Sequence, residues 1–234
     1  MNEPVLSVIV PALNEAENIA GTLLPLQEER GRSLEIILAD GGSTDDTPAL
    51  ARPWINEFTS APPGRASQMN AGAELAQGRY LFFLHADTQI TPEALSELLA
   101  HCATGKAQWG FFRVRLAASR WRYRVIESFM NYRSQLTRVA TGDQGLFVSK
   151  ITFQKIGGFS TIPLMEDIEI SKRLRKIAEP AVLKKSISTS ARRWEQYGVF
   201  RTVLLMWYLR LAYFCGVSPE TLHRYYYKPT KLRG

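Results

Sequence analysis

The stretch Gly78-Arg79-Tyr80-Leu81-Phe82-Phe83-Leu84-His85-Ala86-Asp87-Thr88 decides how the rest of the chain is read. Tyr80 to Leu84 is a short, nearly unbroken apolar run, which predicts a strand buried on both faces of a parallel sheet. It stops at His85-Ala86-Asp87. Residues two apart on an extended chain share a face, so His85 and Asp87 are expected to point the same way from the strand's carboxyl end. In open α/β sheets ligands bind outside that edge. A carboxylate with an imidazole beside it suits a hard divalent cation that takes its other ligands from substrate phosphates. Capping of a helix expected from Pro92 is the competing reading of Asp87, with Thr88 and Thr91 as rival caps.

Working outward, Val5 to Val10 is a second buried-strand run, and Pro11 is expected to stop it because proline cannot continue a central ladder. Ala12-Leu13-Asn14-Glu15 leads into a helical pattern through Ile19, Leu23, Leu24 and Leu26. Leu34 to Ala39 predicts the next strand, ending at Asp40. Gly41 to Thr47 supplies a glycine turn and N-cap residues for a helix through Leu50. Gly64 to Gln77 predicts the helix that feeds the opening stretch. This alternation is the pattern of βαβ units and a mostly parallel sheet. It delivers Pro11, Asp40 and Asp87 to one edge. Asp40 there could bond a ribose or base edge, and turn chemistry explains it as well. The absence of a GxGxxG or GxxxxGK[ST] loop after the first strand argues against Rossmann dehydrogenases and P-loop enzymes.

Leu6 to Glu15 with its Val-Pro-Ala-Leu-Asn-Glu ending, then Asp40-Gly41-Gly42-Ser43-Thr44-Asp45, then Gly64-Arg65 with Asn70 and Gly72, then His85-Ala86-Asp87, together resemble family 2 glycosyltransferases of the GT-A fold. The likeness is to the subgroup with His-Ala-Asp in place of Asp-x-Asp. It implies that Pro11, Leu13, Asn14, Glu15, Asp40, Gly42, Ser43 and Asp45 hold the nucleotide, with Gly64, Arg65, Asn70 and Ala86 completing the donor site. It also implies a divalent cation, Mn²⁺ or Mg²⁺, at Asp87. His85 is then either a second ligand, tilting the site toward Mn²⁺, or a neutral hydrogen-bonding side chain.

Further along, Pro92 to Ala100 predicts an amphipathic helix, and Gln108 to Leu116 a strand with Arg113 and Arg115 on one face. Ser119 to Arg138 predicts a helix in which Arg120, Arg122, Arg124, Arg133 and Arg138 alternate with aromatics. Guanidinium groups beside rings suit planar anions and phosphates. A solvated basic helix face explains each arginine taken singly. Thr141-Gly142-Asp143-Gln144-Gly145 predicts a turn into the strand Leu146 to Val148. By resemblance, Asp143 and Gln144 face acceptor or diphosphate. Glu166-Asp167 opens a helix running through Ile170, Leu174 and Ile177, where acidic residues also suit the helix dipole. The resemblance makes this pair catalytic, with Asp167 as the general base of an inverting transfer. After a strand over Ala181 to Ser188, Arg192-Arg193-Trp194 resembles the family's late basic motif for the pyrophosphate. Ser190 stands where processive synthases carry glutamine, which argues against a polymer synthase.

The 234 residues carry two cysteines, 45% hydrophobic residues and a net charge of +7. Such a chain has ample length for one α/β domain. Its cysteines show no disulfide or metal-ligand spacing and its start lacks a signal-peptide pattern, so a cytoplasmic protein is expected. The positive charge favours anionic partners. Basic residues spread over the chain form no dedicated nucleic-acid motif, so no nucleic acid is expected. The division expected is a transferase domain over residues 1–194, its nucleotide half ending at 90, followed by a helical, basic extension over 195–234. Within that extension, Glu195 to Val217 predicts a helix too short in its apolar run for a membrane span. Arg201 and Arg210 fall on opposite sides of it, leaving no clean polar face. Such a helix wants cover from the domain, from a second copy or from the inner membrane surface. The expected reaction is transfer from a nucleotide-diphosphate sugar, UDP first among bases, to a hydroxyl acceptor. The rivals are a polyprenyl-phosphate glycosyltransferase at the membrane and a nucleotide-sugar-binding protein without catalysis.

Overall fold

The computed structural model describes residues 3–117, 121–190 and 198–227. Its frame is an eight-stranded mixed sheet in the order β3-β2-β1-β4-β7-β6-β8-β5. The strands are β1 (Leu6–Ala12), β2 (Leu34–Asp40), β3 (Glu57–Ser60), β4 (Tyr80–Phe83), β5 (Thr88–Gln89), β6 (Trp109–Leu116), β7 (Leu146–Ser149) and β8 (Ala181–Thr189). The helices are α1 (Ile19–Leu23), α2 (Thr47–Ala51), α3 (Arg65–Leu75), α4 (Pro92–Thr104), α5 (Trp121–Thr137), α6 (Lys150–Lys155), α7 (Glu166–Leu174), α8 (Val199–Phe214) and α9 (Pro219–Tyr226).

The organising run folds as a strand buried on both faces. Tyr80, Phe82 and Leu84 join one core with Leu6, Val8 and Val10, and Leu81 and Phe83 join the other with Ile9, Trp109 and Phe111. Side chains of this size each contribute about 1.5–3 kcal/mol when removed from water, so a central strand apolar on both faces is held firmly in register. β1 pairs in parallel with β2 and β4, as the βαβ pattern predicts. β7 enters antiparallel between β4 and β6, which makes the sheet mixed.

The structure corrects one expectation and adds two elements. Pro11 does not end β1: it pairs opposite Ala39, and the strand runs on to Ala12 opposite Asp40. The ladder to β4 has already finished at Ile9, so that flank of Pro11 has no strand to bond. β3 escaped the sequence because only Phe58 is apolar in it and it lies half-exposed at the edge; the Asn56 side chain helps fix its position by accepting from Ile36 N at 3.0 Å. Finally, Tyr225 and Tyr226 belong to a helix, α9, whose N-cap Ser218 accepts from Thr221 N; the tail beyond 227 lies outside the described residues.

α8 finds cover on one side. Leu209 is buried with Leu222 of α9 and with Val139, Met165 and Ile168, while Leu204, Trp207, Tyr208, Leu211 and Phe214 are exposed. No helix among the described residues is long and apolar enough to cross a membrane.

Candidate active site

The parallel half of the sheet presents two loops at its carboxyl edge, after β1 and after β2. They are stitched to each other. Asn14, in the left-handed region at φ 55°, accepts from Thr44 N at 2.8 Å and donates its own N–H to Ser43 Oγ at 3.0 Å. Asp45 accepts from Ala16 N and from Thr47, and Glu15 N donates to Thr47 Oγ1. Asp40 is buried, and its carboxylate accepts from Gly42 N, Ser43 N and Ser43 Oγ. Turn chemistry is therefore what the structure shows Asp40 and Asp45 doing. Beneath them Gln68 of α3 donates to the carbonyls of Ala12 and Ala39, tying the ends of β1 and β2. Leu13 stays exposed. The product is a rigid platform with Gly42 at φ 88° on its rim.

α3 starts at Gly64, whose φ of 140° favours glycine, and places Arg65 at the helix start. Arg65 Nη1 lies 3.9 Å from Glu166 Oε1, so it bridges the two halves of the cleft. Asn70 is a fastener: Nδ2 donates to Phe159 O at 2.8 Å and Oδ1 accepts from Phe159 N at 2.9 Å.

At the end of β4 the expected strand alternation fails. The strand stops at Phe83, and Ala86-Asp87 form a turn closed by Thr88 N donating to His85 O. Ala86 is buried, its carbonyl accepting from Thr22 Oγ1. His85 is buried against Gly142, where a Cβ would stand 2.3 Å from His85 Cε1. Its Nδ1 lies 3.8 Å from Asp143 Oδ1. Burial first, and Arg65 second, push the imidazole down to about 3, so it is neutral at physiological pH. Gly142→Ala is accordingly expected to displace the imidazole and to destabilise the fold by about 1–3 kcal/mol, the usual cost of overpacking, read as a lowered unfolding midpoint.

The acidic cluster completes the cleft. Asp167 Oδ2 accepts from Gly142 N at 2.9 Å and Oδ1 from Ile168 N at 2.7 Å, which orients the carboxylate on the first turn of α7. The preceding residue, Met165, sits at φ 71°, a left-handed conformation costing a non-glycine residue about 1–2 kcal/mol. It is held there by burial with Leu209 and Leu222. Glu166 is buried, and its carboxyl is pushed up to about 7 by desolvation and by neighbouring Asp167. Asp143, whose side chain keeps 39% of its surface exposed, is held above the ordinary carboxylate range by the protein mass around it and by repulsion from Asp87 and Asp167, relieved by Arg65. Glu166, Asp167, Gly142, Thr141 and His85 line one small cavity that opens to solvent.

A carboxyl raised above its ordinary 4.5 binds a proton in the folded state that the unfolded chain has released, so stability falls as pH rises from about 4.5 to about 7. Glu166→Gln is expected to flatten much of that fall. Melting temperatures of both proteins at pH 5 and pH 8 check this.

Gln144, expected to face a ligand, does not. It is fully buried, with Oε1 accepting from Ser134 Oγ, Thr141 N and Thr141 Oγ1 while Nε2 donates to Phe112 O. Arg192, Arg193 and Trp194 lie outside the described residues. No group of three or more His, Cys, Asp or Glu spaced for a metal ion occurs among the described residues. Arg210 of α8, by contrast, reaches the cluster, where Asp167 and Asp143 attract its guanidinium. Its position opposite Arg201, off any clean polar face, was the one sequence signal for it.

The sequence model of the Glycosyl transferase family 2 matches residues 7–157. An uncharacterized glycosyltransferase of Haemophilus influenzae is 32% identical over 106 residues, 42% of this chain and 42% of its own length. The matched stretch is thus under half of that relative. Among solved structures, TarS 1-349 of S. aureus in complex with UDP-GlcNAc superposes with a TM-score of 0.63 at 18% identity, over 79% of this chain and 58% of that one. The mannosyltransferase PcManGT from Pyrobaculum calidifontis, in complex with GDP-Man and Mn²⁺, gives 0.59 at 19%, over 80% and 57%. At these identities the likeness speaks for a shared GT-A fold.

Proposed function

The chain belongs to glycosyl transferase family 2, and on that premise we propose that it moves a sugar from a nucleotide-diphosphate sugar to a hydroxyl acceptor, with inversion and with Asp167 as general base. The observation that carries the reading is the Asp167 carboxylate, held by Gly142 N–H at 2.9 Å in a cavity shared with Glu166 and His85. A base must be oriented before its basicity matters. As the acceptor oxygen attacks the anomeric carbon, its proton passes to Asp167 and the bond from that carbon to the β-phosphate oxygen breaks. Glu166, its carboxyl pushed up by burial and by the Asp167 charge, keeps a second negative charge from crowding the base.

Donor recognition is assigned to the platform of the two stitched loops, with Arg65 facing the diphosphate. A divalent cation fits at Asp87, because Mg²⁺ and similar ions are held by one or two carboxylates plus substrate phosphates and water. Held there by Asp87, such an ion would supply positive charge against the charge growing on the leaving diphosphate. His85 is read as no ligand, a reading supported by the packing of its ring on Gly142 with Nδ1 toward Asp143. It is assigned the neutral, positioning role.

Calorimetric titration with UDP, GDP and CDP, each with Mn²⁺ and with EDTA, tests the proposal. Cation-dependent binding of one nucleotide, UDP first, is the expected result. No binding of any of the three under either condition would sink the transferase reading.

A further inference from the structure

α5 and α8 meet along a seam that leads into the acidic cluster from the side away from the nucleotide platform. Asn131 of α5 brackets β6, accepting from Val114 N and donating to Val114 O, and β6 lies beyond β7 from the parallel half of the sheet. Phe129 stacks on Trp207 across the seam, ring centroids 5.1 Å apart. One helical turn further along each helix stand Arg133 and Arg210, neighbours of those rings on the same faces. Two contacts fix where they end. Leu209 packs with Ile168, bringing its chain neighbour Arg210 to Asp167. Arg133 Nη2 donates to the buried Ser134 Oγ at 2.7 Å, and Ser134 donates to Gln144 beside Asp143.

These two cations are near carboxylates without being neutralised by them. Arg133 feels Asp167, and Arg210 feels both Asp167 and Asp143. Yet among the described residues the side-chain ion pairs involve neither arginine. Burial first, and the Arg210 charge second, push Arg133 down to about 9, with Asp167 opposing them. Paired guanidinium forks match the geometry of an oxyanion and bind one far better than either alone.

We infer that Arg133 and Arg210 form an anion subsite for the acceptor, which is therefore a hydroxyl compound that also carries an oxyanion, a phosphate ester first, with its apolar part against the Phe129–Trp207 stack. The inference rests on the transferase reading and adds the acceptor's chemical class to it. The anion anchors the acceptor on the far side of Asp167 from the donor, leaving its hydroxyl to face the base.

The test uses the full chain saturated with the nucleotide and cation that bind it, and phenyl phosphate as probe, with inorganic phosphate and benzyl alcohol beside it. Phenyl phosphate is expected to bind saturably to the nucleotide-loaded protein, inorganic phosphate to displace it more weakly, and benzyl alcohol not to bind. Arg210→Gln and Arg133→Gln should each weaken phenyl phosphate by about tenfold or more, the usual scale of a lost charged hydrogen bond. Nucleotide affinity should stay within about twofold and Arg210→Lys should restore part of the loss, since the charge returns without the fork. A merely structural pair would lower the unfolding midpoint and leave probe affinity unchanged. Unaltered probe affinity in both glutamine variants overturns the inference, as does binding that only competes with the nucleotide. If no nucleotide binds, the transferase reading itself has failed, a result distinct from nucleotide binding without probe binding.

Discussion

Asp167→Asn is expected to lower sugar transfer by about 10²–10⁴-fold, the range for a positioned general base, while nucleotide affinity changes little. Asparagine has the same shape, and its amide oxygen can still accept the Gly142 N–H that orients the native carboxylate at 2.9 Å. What it cannot do is take up the acceptor's proton. The variant therefore separates chemistry from architecture. Its unfolding midpoint should stay near that of the wild type, because one of two backbone hydrogen bonds to the side chain survives and the half-buried site loses a negative charge beside Glu166. Measurement of kcat with product release quantified, together with calorimetric nucleotide binding, distinguishes the cases. Transfer within about threefold of wild type would remove Asp167 from the mechanism, since even weak general bases contribute more than that.

Asp87→Ala is expected to abolish the cation dependence of nucleotide binding and to reduce activity by at least about a hundredfold, because even outer partners of a bound metal cost 10–100-fold when lost. The turn that carries Asp87 is closed by backbone, Thr88 N to His85 O at 3.0 Å, and by Ser190 N to Asp87 O. The side chain can therefore be removed without unmaking the loop. Titration of nucleotide into the variant with Mn²⁺ and with EDTA should give the same weak curve twice. His85→Ala is the informative companion. If the imidazole positions Gly142 and Asp143, as its packing indicates, this variant loses turnover and keeps the cation effect. Loss of the cation effect in His85→Ala would instead make the imidazole a ligand.

The local signals in this sequence carried a large part of the architecture. Buried strands such as Tyr80 to Phe83 and Leu34 to Asp40 are legible because their apolar runs are uninterrupted. The helix at Pro92 is legible because Thr91 caps it, accepting from Ala94 N. β3 was not, since an edge strand needs little apolar surface, and Pro11 misled because the rule against proline applies only where the missing N–H faces a partner strand. Among the site residues, Asp167, Glu166, His85 and Asp143 could be named from their motifs, and the structure brings them into one cluster.

By itself, then, the sequence determined the alternation of strands and helices, the edge at which the acidic motifs emerge and the family to which the chain belongs, because hydrophobic period, caps and short motifs are local properties. Only the tertiary structure decided which polar groups remain free for a ligand. Asp40, Asn70 and Gln144 look equally available in the sequence, and each is occupied by hydrogen bonds within the fold. It also decided that α8 and α9 buttress Met165 and that Arg210 arrives beside Asp167. Such facts depend on contacts between segments far apart in the chain, made where the apolar faces of helices find each other, and no local pattern encodes the place at which two such faces will meet.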